Sequence, residues 1–188
     1  SQTELLFAVG AGSSVVGLTK FCTEPPELVG AVAKVGGTKK FDFDAIAALK
    51  PDLIIGNKEE NYPEGIERLA KDYPVWMSDI VTLEDSLGMI RELGVLGSKA
   101  DAADEMAETI RANFDALPAA FPAVEVAYLI WQKPYMVAGA GTFIDEMLKL
   151  GGMHNVFADK DRYPEVALQD IANSPAKVIM LSSEPFPF

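Results

Sequence analysis

Cysteine and histidine are nearly missing from this 188-residue chain: Cys22 and His154 each stand alone. A single cysteine excludes an internal disulfide and leaves no thiolate set for an iron–sulfur cluster. A single histidine leaves little for a His-based triad or a multi-histidine metal site. No catalytic set and no cofactor is therefore expected. Cys22 follows Thr19-Lys20-Phe21 with no apolar leader before it, so it reads as a small, half-buried side chain rather than a lipid-anchor residue. His154, just past Gly151-Gly152-Met153, reads as a surface or helix-end residue.

Long apolar runs are lacking too; none approaches the ~20 residues of a membrane span. Positive charge is short: 16 Lys and Arg stand against 28 Asp and Glu, a net charge of -12. Such a balance argues against non-specific nucleic-acid binding. The acids are scattered, which suits a solvated surface. The glycine signatures of nucleotide loops are incomplete. Gly139-Ala140-Gly141-Thr142 lacks both a third glycine and a Lys-Ser/Thr pair, and reads as a strand-to-helix turn. Gly10-Ala11-Gly12 reads as a helix C-cap. An initiating methionine is also lacking: Ser1-Gln2-Thr3-Glu4 opens directly on a capping box, and Pro185-Phe186-Pro187-Phe188 closes the chain just after a strand. The expectation is the interior of a longer mature protein, cut at both ends.

What is present is a core. Hydrophobic residues make up 49% of the chain and aromatics 9%, enough for one large or two small cores. Helix signals fall at 1–10, 43–50, 62–72, 82–96, 99–117, 141–151 and 166–173, and apolar strand candidates at 15–19, 52–56, 74–77, 124–131, 135–138 and 177–181. Strands alternating with helices predict an α/β fold with parallel sheets. Residues 99–117 are rich in Ala and Glu, without Gly or Pro, and carry an apolar stripe of Ala103, Met106, Ala107, Ile110, Phe114 and Leu117. Pro118 and Pro122 bound that helix, and its length suggests a rigid connector.

The flanking stretches repeat one order. A helix ending at Gly10 leads into Val15-Val16-Gly17, as the helix ending at Gly151 leads into Asn155-Val156-Phe157. Later, Asp44 to Pro51 to Ile55 matches Asp170 to Pro175 to Met180. A duplicated α/β lobe accounts for both matches. The expected organisation is an N-terminal lobe at 1–97, a connecting helix at 98–118 and an incomplete C-terminal lobe at 119–188, with a cleft between lobes. The run Leu53-Ile54-Ile55 ends in Gly56-Asn57-Lys58-Glu59-Glu60-Asn61, and polar strand ends of this kind are where α/β proteins hold ligands. Phe21, Asn57, Asn61, Trp131 and Tyr163 sit at such ends or in adjoining turns, a set suited to a large, planar, partly polar ligand.

Val16-Gly17-Leu18-Thr19 with Pro25-Pro26, then Lys34-Val35-Gly36-Gly37, then Asp44 through Pro51 to Ile55, resemble the helical-backbone class of solute-binding proteins that serve ABC importers for vitamin B12, ferric siderophores and haem. The resemblance extends over essentially the whole chain. It implies two Rossmann-like lobes joined by one long helix and a ligand held between them without catalysis. It implies an extracytoplasmic, periplasmic location, with or without a lipid anchor, a monomer, and delivery of the ligand to a permease. Carried over by motif, ligand contacts fall on Phe21, Thr38, Asn57 and Tyr163; Phe21 and Tyr163 keep the aromatic character of the corrinoid-binding members, and Thr38 and Asn57 do not. Lys39, Lys133 and Arg162 are the candidate cations of a siderophore site. Permease docking falls on Asp44 in the first half, and on Gln169 with neighbouring Asp170 in the second. Two other readings stand beside this one: an enzyme domain of nitrogenase-like fold, and a sensor domain that kept the binding fold.

Overall fold

Helix α1 (Gln2–Ala8) ends in a Schellman motif, in which Ala11 N–H donates to the Leu6 carbonyl at 2.8 Å and Gly10 N–H to Phe7 at 3.0 Å. Gly10 takes φ +84°, which only glycine adopts without strain. The expected C-cap role of the first glycine group thus holds. The structure, a computed structural model, describes residues 2–117 and 123–183. The expected capping residue Ser1, the bounding prolines Pro118 and Pro122, and the tail from 184 lie outside the described residues. Two compact units emerge: Ser1–Asp79 with Leu87–Thr109, and Ile80–Ser86 with Ile110–Phe188.

In the first unit, β1 (Gly17–Leu18) is followed by the short helix α2 (Pro26–Val29) and pairs in parallel with β2 (Ala33–Lys34). A tight hairpin comes next, β3 (Gly36–Gly37) against β4 (Lys40–Phe41), with Thr38 and Lys39 at its turn. Helix α3 (Phe43–Leu49) starts where the Asp42 carboxylate accepts the Ala45 N–H at 3.0 Å. It stops because Lys50 turns into the left-handed region, at φ 49°, and Pro51 cannot continue a helix. Strand β5 (Ile54–Asn57), helix α4 (Pro63–Leu69) and strand β6 (Val75–Ser78) form a βαβ unit, with β5 and β6 parallel from Ile54↔Val75 to Asn57↔Ser78.

Helices α5 (Leu83–Leu96) and α6 (Ala100–Asp115) each contribute residues to both units. Within the first unit, Leu87 and Leu93 of α5 and Ala103 and Ala107 of α6 are fully buried. Gly94 permits that packing: a Cβ there would lie 2.2 Å from the Ala103 Cβ. Arg91 of α5 reaches Asp104 at 2.8 Å and also Glu108, both on α6. The helix expected at 99–117 is therefore present as Ala100–Asp115, with a second helix packed along it.

In the second unit, β7 (Val124–Trp131) is central. On one side it pairs in parallel with β10 (Val178–Leu181). On the other it pairs first in parallel with β9 (Met153–Asn155), then antiparallel with β8 (Met136–Val137), the return strand of a hairpin. Helix α7 (Phe143–Leu150) connects β8 to β9, and α8 (Leu168–Asn173) precedes β10. Ala127, Leu129, Val137, Phe157 and Ile171 form the core, with Tyr135, Val156 and Val166 packed against it. His154, on β9, is exposed and bonds through Nδ1 to Glu125 of β7 at 2.6 Å.

Candidate functional site

Strand β5 reaches its end at Asn57, and two asparagine side chains organise the turn beyond it. Asn57 Oδ1 accepts the N–H groups of Glu59 at 2.9 Å and Glu60 at 3.1 Å, folding the turn onto the strand end. Its Nδ2 donates to the buried Ser78 Oγ at 3.0 Å, tying β5 to β6. Asn61 Oδ1 accepts the Asn57 N–H at 2.8 Å, and its Nδ2 donates to the Thr38 carbonyl at 3.3 Å. The polar cluster after Ile55 is thus a brace between the β5 end and the β3–β4 turn. Both amides hydrogen-bond within the protein.

The braced hairpin forms one wall of a groove of about 710 Å³ in the first unit. Phe21, 60% exposed, and Thr38 line it, so two of the expected ligand residues meet there. Lys20, Lys39, Lys40 and Arg68 line it as well. The Lys20 ammonium lies 5.0 Å from the Phe21 ring centroid, and the Arg68 guanidinium 3.7 Å from that of Phe43. Phe41 packs between Phe43 and Tyr62, with centroids 6.1 and 4.8 Å away. Lys39 Nζ donates to the Glu59 carbonyl at 3.1 Å. Asp44, expected to serve docking, is exposed in the first turn of α3 and lines the same groove as Phe21.

Trp131 and Tyr163 belong to the second unit. Trp131, 38% exposed, ends β7 opposite Met136. Tyr163 lies in a segment laid along β8 by main-chain bonds. Gly139 N–H donates to Arg162 at 2.7 Å, Ala140 N–H to Lys160 at 2.7 Å, and Arg162 N–H back to Ala140 at 2.8 Å. Val137 N–H donates to Pro164 at 3.2 Å, and Val166 N–H to Tyr135 at 3.0 Å. Gly139 is required by this approach, since a Cβ would lie 2.3 Å from the Lys160 carbonyl oxygen. The Arg162 guanidinium stands 5.7 Å from the Tyr163 ring centroid. Lys133 is exposed in the β7–β8 turn. Thr142 caps α7, taking the Asp145 N–H at 3.1 Å and donating to Gly139 at 2.9 Å, so Gly139–Thr142 is the strand-to-helix turn expected of it.

Gln169 and Asp170 are both exposed on α8. Asp170 accepts the Ala167 N–H at 2.9 Å, and Gln169 donates to Asn173 at 2.9 Å, bonds that serve the helix itself. Sequence reasoning missed Lys20, Lys40 and Arg68. Lys20 beside Phe21 and Lys40 two residues from Thr38 were local signals, whereas Arg68 joins them only through the fold.

A protein-family model described as "Periplasmic binding protein" matches residues 1–185. The vitamin B12-binding protein of Vibrio parahaemolyticus is 26% identical over 185 residues, which cover 96% of this chain and 67% of that one. In fold the chain is similar to the periplasmic vitamin B12 binding protein of Vibrio cholerae, with a TM-score of 0.82 at 23% identity over 96% of this chain and 72% of that one. It is similar also to a periplasmic heme-binding protein from Roseiflexus sp. RS-1, with a TM-score of 0.83 at 23% identity and the same 96% and 72% coverage. With nearly its whole length matched by that model, the chain belongs to the periplasmic binding protein family.

Proposed function

We propose that this chain is the solute-binding component of an ABC importer, and that it captures an iron chelate, haem or a corrinoid and delivers it to a permease. The reading is carried by the groove that brings Phe21 and Thr38 together in a chain of this family. Relatives named for vitamin B12 and heme support the ligand class. An exposed ring at the mouth of a groove offers contact area with few rotamers to freeze. Nothing in this arrangement calls for bond chemistry; what it offers is shape and charge.

The test is a titration of full-length protein with cyanocobalamin, haemin and several ferric siderophores, read through Trp76 and Trp131 fluorescence. Saturable binding of one chelate class below about 1 μM is expected, equivalent to about -8 kcal/mol. Failure of every chelate to bind would refute the reading.

Docking is proposed at the exposed carboxylates of Asp44 and Asp170, with Gln169 beside the latter. Such charges steer and orient association more than they stabilise a fold. Asp44→Lys should lower uptake in cells carrying the cognate permease while leaving thermal stability unchanged; unaltered uptake would leave Asp44 only its place at the helix start.

A further inference from the structure

Polar burial is rare among the described residues, and it follows one pattern. The buried polar or charged side chains are Ser78, Thr142, Asp145 and Asn155. Ser78 ends β6 and receives the Asn57 amide from the end of β5. The other three form one network in the second unit. Asn155, the last residue of β9, ties three stretches of chain together. Its Nδ2 donates to the Ala138 carbonyl at 3.0 Å and to Asp145 Oδ1 at 2.9 Å, and its Oδ1 accepts the Phe157 N–H at 3.1 Å. Asp145 N–H donates to Thr142 Oγ1 at 3.1 Å, and that hydroxyl donates to the Gly139 carbonyl at 2.9 Å. Gly139 and Ala140 are the residues that bond the backbone of Lys160 and Arg162. The network therefore meets the segment carrying Tyr163 twice: at its start through Phe157, and along its length through Gly139.

We propose that Thr142, Asp145 and Asn155 are positioning residues for the ligand site: they set where Arg162 and Tyr163 stand, and act on affinity only through them. The inference rests on the solute-binding reading above. Apolar contact alone holds the neighbouring core of Ala127, Leu129, Val137, Phe157 and Ile171. A fully satisfied polar network adds directed bonds, which fix one geometry where apolar packing tolerates several. Among the described residues no buried side-chain nitrogen or oxygen lacks a partner, so the network is complete. Its place also argues for position rather than bulk stability. The Asn155 amide lies where the chain leaves β9 for the Tyr163 segment, and the Thr142 hydroxyl lies in the turn that this segment is bonded to.

The first arm of the test follows amide exchange by mass spectrometry in full-length protein with no chelate added. Asn155→Ala removes the amide; the milder Thr142→Val keeps the shape of its side chain and removes the hydroxyl. Each should speed exchange over residues 156–163 at least about tenfold while the β7 peptide, 124–131, stays protected. Thr142→Ser keeps the hydroxyl and should exchange as the wild type does. Ile171→Val, a truncation in the apolar core, is the control and should not single out 156–163. Equal acceleration of both peptides in Thr142→Val would reveal a plain loss of stability and overturn the proposal, as would no acceleration at all. The second arm titrates the same proteins with haemin, cyanocobalamin, a ferric tris-catecholate and ferrioxamine, read by tryptophan fluorescence. Thr142→Val should weaken the probe that the wild type binds severalfold, and should weaken it no further in an Arg162→Ala/Tyr163→Ala background, because residues that act through one another are not additive. Additive losses would overturn the role at the ligand site. Binding of none of the four probes by the wild type would overturn the solute-binding reading and the ligand-site role with it, and the exchange arm would still decide whether the network sets the segment.

Discussion

Asn61 stands between Asn57 and Thr38, accepting the N–H of one at 2.8 Å and donating to the carbonyl of the other at 3.3 Å. The relationship makes the groove wall depend on a residue that does not line it. Asn61→Leu fills a similar volume but leaves the Asn57 N–H and the Thr38 carbonyl without this partner. A loss of about 1–3 kcal/mol in urea unfolding is expected, with weaker binding of whichever chelate the protein takes. Asn61→Asp keeps the acceptor and loses the donor, so its affinity should lie between wild type and Asn61→Leu.

Gly94→Ala sets two effects against each other. Alanine is favoured over glycine in a helix by about 1 kcal/mol. The new methyl, however, would lie 2.2 Å from the Ala103 Cβ on a buried helix face. Overpacking of this kind costs about 1–3 kcal/mol, so the variant should be less stable in chemical denaturation. Ala103→Gly added to it should recover part of the loss, which identifies the clash as the cause.

The start of α5 carries a reciprocal cap. Asp85 N–H donates to Thr82 Oγ1 at 3.1 Å, and the Asp85 carboxylate accepts the N–H groups of Thr82 at 2.8 Å and Val81 at 3.1 Å. The Thr82 side chain first, then these backbone donors, hold the Asp85 carboxyl below its ordinary pKa. A lowered folded-state pKa contributes stability that is present above the unfolded value of about 4 and is lost as pH falls through the folded one. The stability gap between wild type and Asp85→Asn should therefore be full at neutral pH and shrink below about pH 4. Thr82→Ala should cost about 1 kcal/mol by removing the other half of the cap.

Asp145 is 1% exposed and accepts from Asn155 Nδ2 at 2.9 Å, while Lys149 pairs with its second oxygen at 2.6 Å. Asn155, also buried, donates to the Ala138 carbonyl at 3.0 Å and orders the Phe157 N–H at 3.1 Å. Asp145→Ala should cost about 1–3 kcal/mol in urea unfolding because the Asn155 amide loses a buried acceptor. Lys149→Ala leaves the buried Asp145 carboxylate without its counter-charge and should also cost about 1–3 kcal/mol.

Long elements with clear stops were legible in the sequence, and short ones were not. Helices α3, α5 and α6 lie within a few residues of their expected ranges, because Asp42, Pro51 and the 99–117 composition mark them locally. Strands β2, β3 and β4 and helix α2 were unforeseen: two to four residues carry no period to read. The first strand, expected over 15–19, shrank to Gly17–Leu18 because a 3-10 turn occupies Gly12–Ser14 just before it. For the candidate site, the strand-end rule led to Asn57 and Asn61, but periodicity says nothing about where an amide will aim its bonds. Of the groove's cations only Lys39 was named from the sequence; Arg68 stayed hidden because it reaches the groove from α4, and its sequence distance from Phe21 gives no sign of it.

The segment carrying Arg162 and Tyr163 is fastened to Gly139 and Ala140 through its backbone. A position held by main-chain bonds stays in place whichever residue occupies it. Selection, or a protein engineer, can therefore exchange the side chain at 163 without first inventing a new way to anchor the loop. The fold separates the problem of where a group stands from the problem of which group it is.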